Sequence, residues 1–175
     1  ILDHLRSKVK EILAQEGSVQ DQKDGLDMAI AVIDPKEKVL QFAGANIPLL
    51  LARKKNQAWG LEEELRLSLE DDDYELFRLK ADKQPIGVYW EEEEFSTHMI
   101  KLHEGDTLYL LTDGIVDQYG GKNRKKYKSR RLKKLLLSIQ GENMEKQKAR
   151  IEEAFDCWKG SHEQIDDVCV VGVRF

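Results

Sequence analysis

Two segments in the second half of the chain are apolar at consecutive positions, and they constrain the fold more than any other feature. Residues 107–112 and 167–175 place apolar side chains on both faces of an extended chain. A strand with one face in water alternates apolar and polar residues, whereas a strand covered on both faces is apolar almost throughout. Both segments are therefore predicted to be interior strands.

Further strands are predicted in the middle of the chain. Residues 28–33 and 39–43 are short apolar runs separated by Asp34-Pro35-Lys36-Glu37, and a turn that starts with Asp-Pro predicts a β-hairpin. Residues 48–53 are expected to add a third strand and continue the meander. The apolar alternation predicts further strands over residues 59–69, 74–80 and 95–102.

Helices are predicted over residues 1–14, 130–139 and 143–159, because apolar residues there recur at the helical period. In the first helix the face of Leu2, Leu5, Val9, Ile12 and Leu13 is expected to be apolar and to face the core, and Arg6 is expected on the opposite, polar face. Strands clustered in the middle with helices at the ends favour an antiparallel α+β domain over alternating βαβ units.

Composition excludes several functional classes. The 175 residues suffice for one domain, 1–175, and 28 Lys plus Arg against 33 Asp plus Glu give a net charge of −5. A negative chain is a poor general ligand for nucleic acid or an anionic membrane. With no apolar run of about 18 residues and no Cys-x-x-Cys pair, we expect a protein of the reducing cytoplasm.

Two carboxylate clusters flank the predicted interior strands. Asp113, Gly114 and Asp117 follow the first of these strands, and Asp166 and Asp167 open the last. If the two strands are antiparallel neighbours, the clusters meet at one sheet edge, where carboxylates suit Mg²⁺ or Mn²⁺. The alternative is a simple Asp-Gly turn and a polar loop, and spacing alone favours this alternative.

A basic stretch follows these aspartates, with nine Lys or Arg among residues 122–134. A segment this rich in Lys and Arg is typical of a domain that binds nucleic acid. The acidic chain as a whole and the lack of a pair of stacking aromatic residues favour a solvated loop and helix start instead. No nucleic acid is therefore expected as a partner, and the scattered histidines do not favour a zinc site.

Five blocks of sequence, in order along the chain, resemble one protein family. They are residues 25–34, 42–51, 84–87, 105–117 and 166–173. Taken together, these blocks make the chain resemble the metal-dependent (PPM, type 2C-like) protein phosphatases, specifically the bacterial stage II sporulation protein E type. No single block is very specific, but five blocks in the family order are.

The resemblance implies an αββα sandwich, two mainly antiparallel sheets flanked by helices, with two Mn²⁺ or Mg²⁺ ions at the sheet edge. It implies that Asp113 and Asp166 bind metal, and that Gly114, Asp117 and Asp167 support them without binding it. The implied reaction is hydrolysis of phosphoserine or phosphothreonine in a protein by a metal-activated water. The basic stretch would then lie beside the site and attract an acidic phosphoprotein.

The chain also departs from the family pattern. Two further aspartates of the family lie in motifs that precede the helix at which this chain begins. We therefore expect the chain to be the C-terminal portion of a phosphatase domain, inactive by itself, in a larger bacterial signalling protein with an upstream sensor or repeat region. A non-catalytic phosphoprotein-binding or regulatory module of the same fold is the alternative.

The resemblance further suggests a phosphorylated anti-sigma-factor antagonist as the substrate. If strands that precede Ile1 belong to the domain, the sheets of this chain alone have bare edges. Bare edges favour pairing between chains, so a homodimer is also possible.

Overall fold

The structure is a computed structural model that describes residues 1–13, 24–55 and 64–175. The chain divides into two compact units. The first comprises Ile1–Leu49 and Leu79–Leu102, and the second comprises Leu50–Arg78 and His103–Phe175. None of the helices described is both long enough and apolar enough to cross a bilayer.

The described residues form four helices and ten strands. The helices are α1 (Leu2–Ile12), α2 (Gly114–Asp117), α3 (Ser129–Ser138) and α4 (Met144–Lys159). The strands are β1 (Met28–Asp34), β2 (Val39–Ala45), β3 (Leu49–Lys54), β4 (Leu65–Glu70), β5 (Tyr74–Leu79), β6 (His98–Lys101), β7 (Thr107–Leu111), β8 (Tyr119–Gly120), β9 (Lys125–Lys126) and β10 (Val170–Arg174). This mixture of helices and antiparallel strands confirms the predicted α+β class.

The first unit holds a three-stranded sheet in the order β1-β2-β6, with antiparallel neighbours. The predicted hairpin is confirmed, with Asp34 opposite Val39. The Asp34 carboxylate accepts hydrogen bonds from the amides of Lys36 and Glu37, which closes the turn. The core of this unit is built from α1, β2 and the loops around residues 86 and 95.

Arg6 in α1 is 8% exposed, so its predicted place on the polar face is wrong. Ile12 and Leu13, at the end of α1, are 78% and 43% exposed, so their predicted burial is wrong as well. Its guanidinium donates to Gln84 Oε1 and the Glu93 carbonyl, pairs with Asp3, and lies 4.8 Å from the centre of the Phe95 ring. A buried guanidinium is tolerated because its donors are satisfied. Helical periodicity carries no information about these distant acceptors.

The second unit holds a five-stranded sheet in the order β10-β7-β3-β5-β4. The expected meander is therefore wrong, because β3 pairs with β7, Leu50 opposite Tyr109, rather than with β2. The chain leaves β2 at Asn46, which has a positive φ of 61° and whose amide donates to the Asp82 carbonyl. This turn diverts the strand that follows from the first sheet.

The two strands predicted to be interior differ in the structure. β7 lies between β10 and β3 with Thr107, Leu108 and Tyr109 all buried, which confirms its prediction. β10 is an edge strand of the sheet, and Val171 is 51% and Val173 42% exposed. Burial of the last strand on both faces was therefore wrong, because its position depends on the strand order and not on its own sequence.

The remaining elements follow the sequence pattern closely. β4 and β5 are joined by a turn in which the Asp71 carboxylate accepts from the amides of Asp73 and Tyr74. Residues 59–63 of the strand predicted before this turn lie outside the described residues. The helices predicted over residues 130–139 and 143–159 are confirmed as α3 and α4, and both pack on the core of this unit.

A polar network ties the middle of β7 to the turn after α3 and to the first turn of α4. Gln140 donates to the Tyr109 hydroxyl at 2.7 Å, and Tyr109 donates to Gln147. Burial raises the pKa of Tyr109 to about 12, so the hydroxyl stays protonated as a donor. Arg174 of β10 donates to the carbonyls of Gln140 and Glu142. These bonds fix β7 and β10 relative to the helices.

Candidate functional site

The ends of β7 and β10 form one edge of the five-stranded sheet. The strands are antiparallel, with Val170 opposite Leu111, so the residues that follow β7 lie beside those that precede β10. Beyond the last pair, the Thr112 amide donates to the Cys169 carbonyl at 3.0 Å. The predicted meeting of the two aspartate-bearing segments at one edge is therefore confirmed for the backbone.

Thr112 joins the two segments through its side chain as well. Its hydroxyl donates to the carbonyl of Asp167 and accepts from the amide of Cys169, both at 2.9 Å. The hydroxyl thus fixes the loop that carries Asp166 and Asp167 beside Asp113. Thr112 was not among the predicted site residues, although a hydroxyl residue directly before Asp-Gly is the signal that could have identified it.

Gly114 lies where the backbones of the two segments are closest. It begins α2 directly after Asp113, and a Cβ atom at this position would lie 2.3 Å from the Asp167 carbonyl oxygen. This distance is far below van der Waals contact, so the position accepts no side chain without displacing the Asp167 backbone. This close approach explains why position 114 is a glycine, and its role in supporting the metal ligands stays a prediction.

Gly114→Ala is expected to lower the free energy of unfolding by about 1–3 kcal/mol, the usual cost of overpacking. Denaturant unfolding of the variant measures this change. The matched control is Gly141→Ala, because no atom lies within 4 Å of a Cβ at Gly141. Equal stability of the two variants would show that the contact with Asp167 is not close in solution.

Asp113, Asp166 and Asp167 are all exposed at this edge. Asp166 Oδ1 accepts from the Asp167 amide at 2.7 Å, which fixes the orientation of the Asp166 carboxylate. Asp113 precedes α2 without making a side-chain cap to it. Exposed carboxylates in this arrangement keep oxygen lone pairs available for a ligand.

Asp117, at the end of α2, forms an ion pair with Lys126 of β9, with 3.0 Å between Oδ2 and Nζ. The hydrogen bond to Asp117 raises the pKa of Lys126, and the charge of Asp113 adds to the effect. The short hairpin of β8 and β9 therefore brings the basic stretch to the acidic edge. Lys126 was predicted only as part of the basic stretch, and its contact with Asp117 was not. The orienting role of Asp117 stays a prediction.

The carboxylate oxygens of these aspartates are the ligand type that a hard divalent cation such as Mg²⁺ or Mn²⁺ prefers. Asp113 and Asp166 are the residues that would bind it. In the described part of the chain, no group of three or more His, Cys, Asp or Glu side chains is placed to hold a metal ion. Two carboxylates are fewer oxygen ligands than either cation takes.

The sequence of the whole chain matches one protein family. The sequence profile of "Stage II sporulation protein E (SpoIIE)" matches residues 1–175. The chain belongs to the SpoIIE family. Among curated protein sequences, none matches the chain significantly.

Solved structures with the same fold are PP2C phosphatase domains. The SiaA-PP2C domain of Pseudomonas aeruginosa matches with a TM-score of 0.75 at 22% identity, covering 99% of this SpoIIE-family chain and 59% of that chain. A structure of the PP2C phosphatase domain and a fragment of the regulatory domain of SpoIIE from Bacillus subtilis matches with a TM-score of 0.61 at 16% identity, covering 99% and 47%. This likeness confirms the fold class predicted from sequence, the αββα sandwich of PP2C domains. The chain thus spans about half of the lengths of these two proteins.

A further structure of the Bacillus subtilis SpoIIE phosphatase domain was presoaked with Mn. It matches this chain with a TM-score of 0.53 at 16% identity and covers 99% of this chain and 70% of that chain.

Proposed function

We propose that the chain is part of a protein serine/threonine phosphatase domain that hydrolyses phosphoserine and phosphothreonine in proteins with Mn²⁺ or Mg²⁺. The observation that carries the proposal is the junction of β7 and β10. There, Thr112 and Gly114 hold Asp113 against the segment of Asp166 and Asp167. Membership of the SpoIIE family and the fold of PP2C domains support a phosphatase over other metal-dependent hydrolases.

Each residue of the junction has a distinct task in this proposal. Asp113 and Asp166 bind the cation through carboxylate oxygens. When bound, the cation acidifies a water molecule and neutralises charge on the phosphoryl oxygens. Thr112 keeps the two segments at a fixed separation, and Gly114 lets the Asp167 backbone approach. The exposure of the three aspartates leaves room for a phosphorylated side chain of another protein.

The test is Mn²⁺-dependent release of phosphate from a phosphoserine peptide by the full-length protein. We expect turnover with Mn²⁺, loss of turnover with EDTA, and recovery when Mn²⁺ is added in excess. Binding of Mn²⁺ measured by calorimetry provides a readout that does not depend on turnover. Binding of the phosphopeptide with no release of phosphate would contradict the proposal and favour the non-catalytic regulatory module.

A further inference from the structure

The basic stretch presents a continuous set of exposed cations that the proposed reaction does not use. We call this the cationic surface and define it as the side chains of Lys122, Arg124, Lys125, Lys128 and Arg130, all exposed. None of these five forms an ion pair with a residue that the structure describes. Unpaired cations of one sign repel one another, so they favour an anionic partner.

The cationic surface lies next to the acidic edge. Lys126, between Lys125 and Lys128 in the sequence, contacts Asp117 at 3.0 Å. The amide of Asp117 donates to the carbonyl of Asp113 at 2.9 Å. Lys126 lies within the segment that carries the cationic surface, so these contacts connect that segment through Asp117 to the predicted metal ligand Asp113. A partner that covers the cationic surface is held close to Asp113.

The cationic surface is also held in place by the core. The amides of Tyr127 and Lys128 donate to the carbonyls of Gln118 and Val116, and Tyr127 is only 5% exposed. The Arg131 guanidinium lies 3.8 Å from the centre of the Trp158 ring. These contacts anchor the C-terminal end of the segment that carries the five cations, and the Gly121 amide, which donates to the Trp158 carbonyl at 3.0 Å, anchors its start. Its charges therefore have a defined position relative to the site.

We propose that the cationic surface docks an acidic segment of the phosphoprotein substrate beside Asp113. This inference rests on the proposed function and adds a substrate class to it: phosphoserine or phosphothreonine flanked by Asp or Glu. The exposed aspartates of the site repel such a segment, and the cations beside them offset that repulsion. The cationic surface thus selects among phosphoproteins by charge.

An acidic protein is favoured over nucleic acid by the surroundings of the cations. Single-stranded nucleic acid binds where bases stack on exposed aromatic rings. The one aromatic residue within the basic stretch, Tyr127, is buried, and Arg131 already covers the Trp158 ring. The whole chain carries a net charge of −5, which repels a long polyanion.

The test compares two phosphoserine peptides on the full-length protein, one flanked by glutamates and one flanked by glutamines. The variant carries Lys122→Glu, Lys125→Glu and Arg130→Glu. Arg130 lies in the first turn of α3, where Glu is favourable, so the fold is expected to survive. The matched control reverses three exposed lysines elsewhere, Lys36, Lys80 and Lys146, and changes the net charge equally.

We expect the unmodified protein and the control to bind the glutamate peptide about tenfold more tightly than the glutamine peptide at low salt, as electrostatic steering commonly provides. In the variant this ratio falls to about one, measured by fluorescence anisotropy. Hydrolysis of p-nitrophenyl phosphate is unchanged in the variant, so loss of the proposed activity and loss of docking are separate results. Equal ratios in variant and control overturn the inference, as does tighter binding of a single-stranded oligonucleotide than of the glutamate peptide.

Discussion

Asp113→Asn and Asp166→Asn are each expected to lower Mn²⁺-dependent hydrolysis of p-nitrophenyl phosphate by the full-length protein at least about 100-fold. Loss of a residue that only supports a metal ligand commonly costs 10–100-fold, and loss of a charged ligand costs more. An amide oxygen in place of a carboxylate removes the negative charge that attracts the cation. Calorimetry is expected to show weaker Mn²⁺ binding in both variants.

The same substitutions are expected to leave the fold intact. Neighbouring carboxylates repel one another when no cation lies between them, so the metal-free variants keep an unchanged or slightly higher thermal midpoint. The control is Asp72→Asn, because Asp72 is an exposed aspartate in the turn between β4 and β5. Full activity of the Asp113→Asn protein, or an equal loss in the control, would contradict the assignment of the site.

Elements with a local signal could be predicted from the sequence. The hairpin of β1 and β2 is determined by Asp34, whose side chain closes its own turn, and α4 by an apolar stripe that recurs every three or four residues. α4 begins at Asn143, whose side chain accepts from the Lys146 amide. Each of these signals lies within a few residues of the structure that it specifies.

Features that depend on distant partners could not be predicted in this way. β3 and β10 have ordinary strand sequences, and their places in the sheet are decided by pairing with β7. Val171 and Val173 lie on the same face of the edge strand β10 and are exposed, and whether that face is covered depends on elements outside the strand. Arg6 is buried where the Gln84 side chain and the Glu93 carbonyl accept hydrogen bonds from its guanidinium, and both residues are remote from Arg6 in sequence.

In the candidate site too, features with a local signal could be predicted and features that depend on distant partners could not. Asp113 follows β7 closely and Asp166 lies in the segment that precedes β10, so the approach of the two segments could be predicted from the apolar runs beside them. The approach of Lys126 to Asp117 depends on a hairpin of two-residue strands, which is too short to show a period. The hydroxyl of Thr112 spans two segments that are remote in sequence, so its role required the pairing of β7 with β10.

Asp106 lies in one of the family-like blocks of sequence, and its side chain forms a buried ion pair. It lies in the block of residues 105–117 that resembles the phosphatase family, yet its carboxylate is fully buried. It accepts from Nε and Nη2 of Arg53 at 2.8 and 2.6 Å, and from the amide of His103. Arg53 is 2% exposed, so this is a buried, two-point ion pair between the turn before β7 and the end of β3.

Asp106→Asn is expected to lower the free energy of unfolding by about 3–5 kcal/mol, because it removes one charge of a buried ion pair and leaves the other charge buried. Removing both charges of the pair, in Arg53→Met with Asp106→Asn, is expected to recover part of this loss, since neither charge of the pair then stays buried. The surface pair of Lys148 and Glu152 provides the control, and Glu152→Gln is expected to change stability by less than about 0.5 kcal/mol. Denaturant unfolding of the four proteins measures these differences, and a double variant less stable than Asp106→Asn alone would show that the cost does not arise from an unpaired charge.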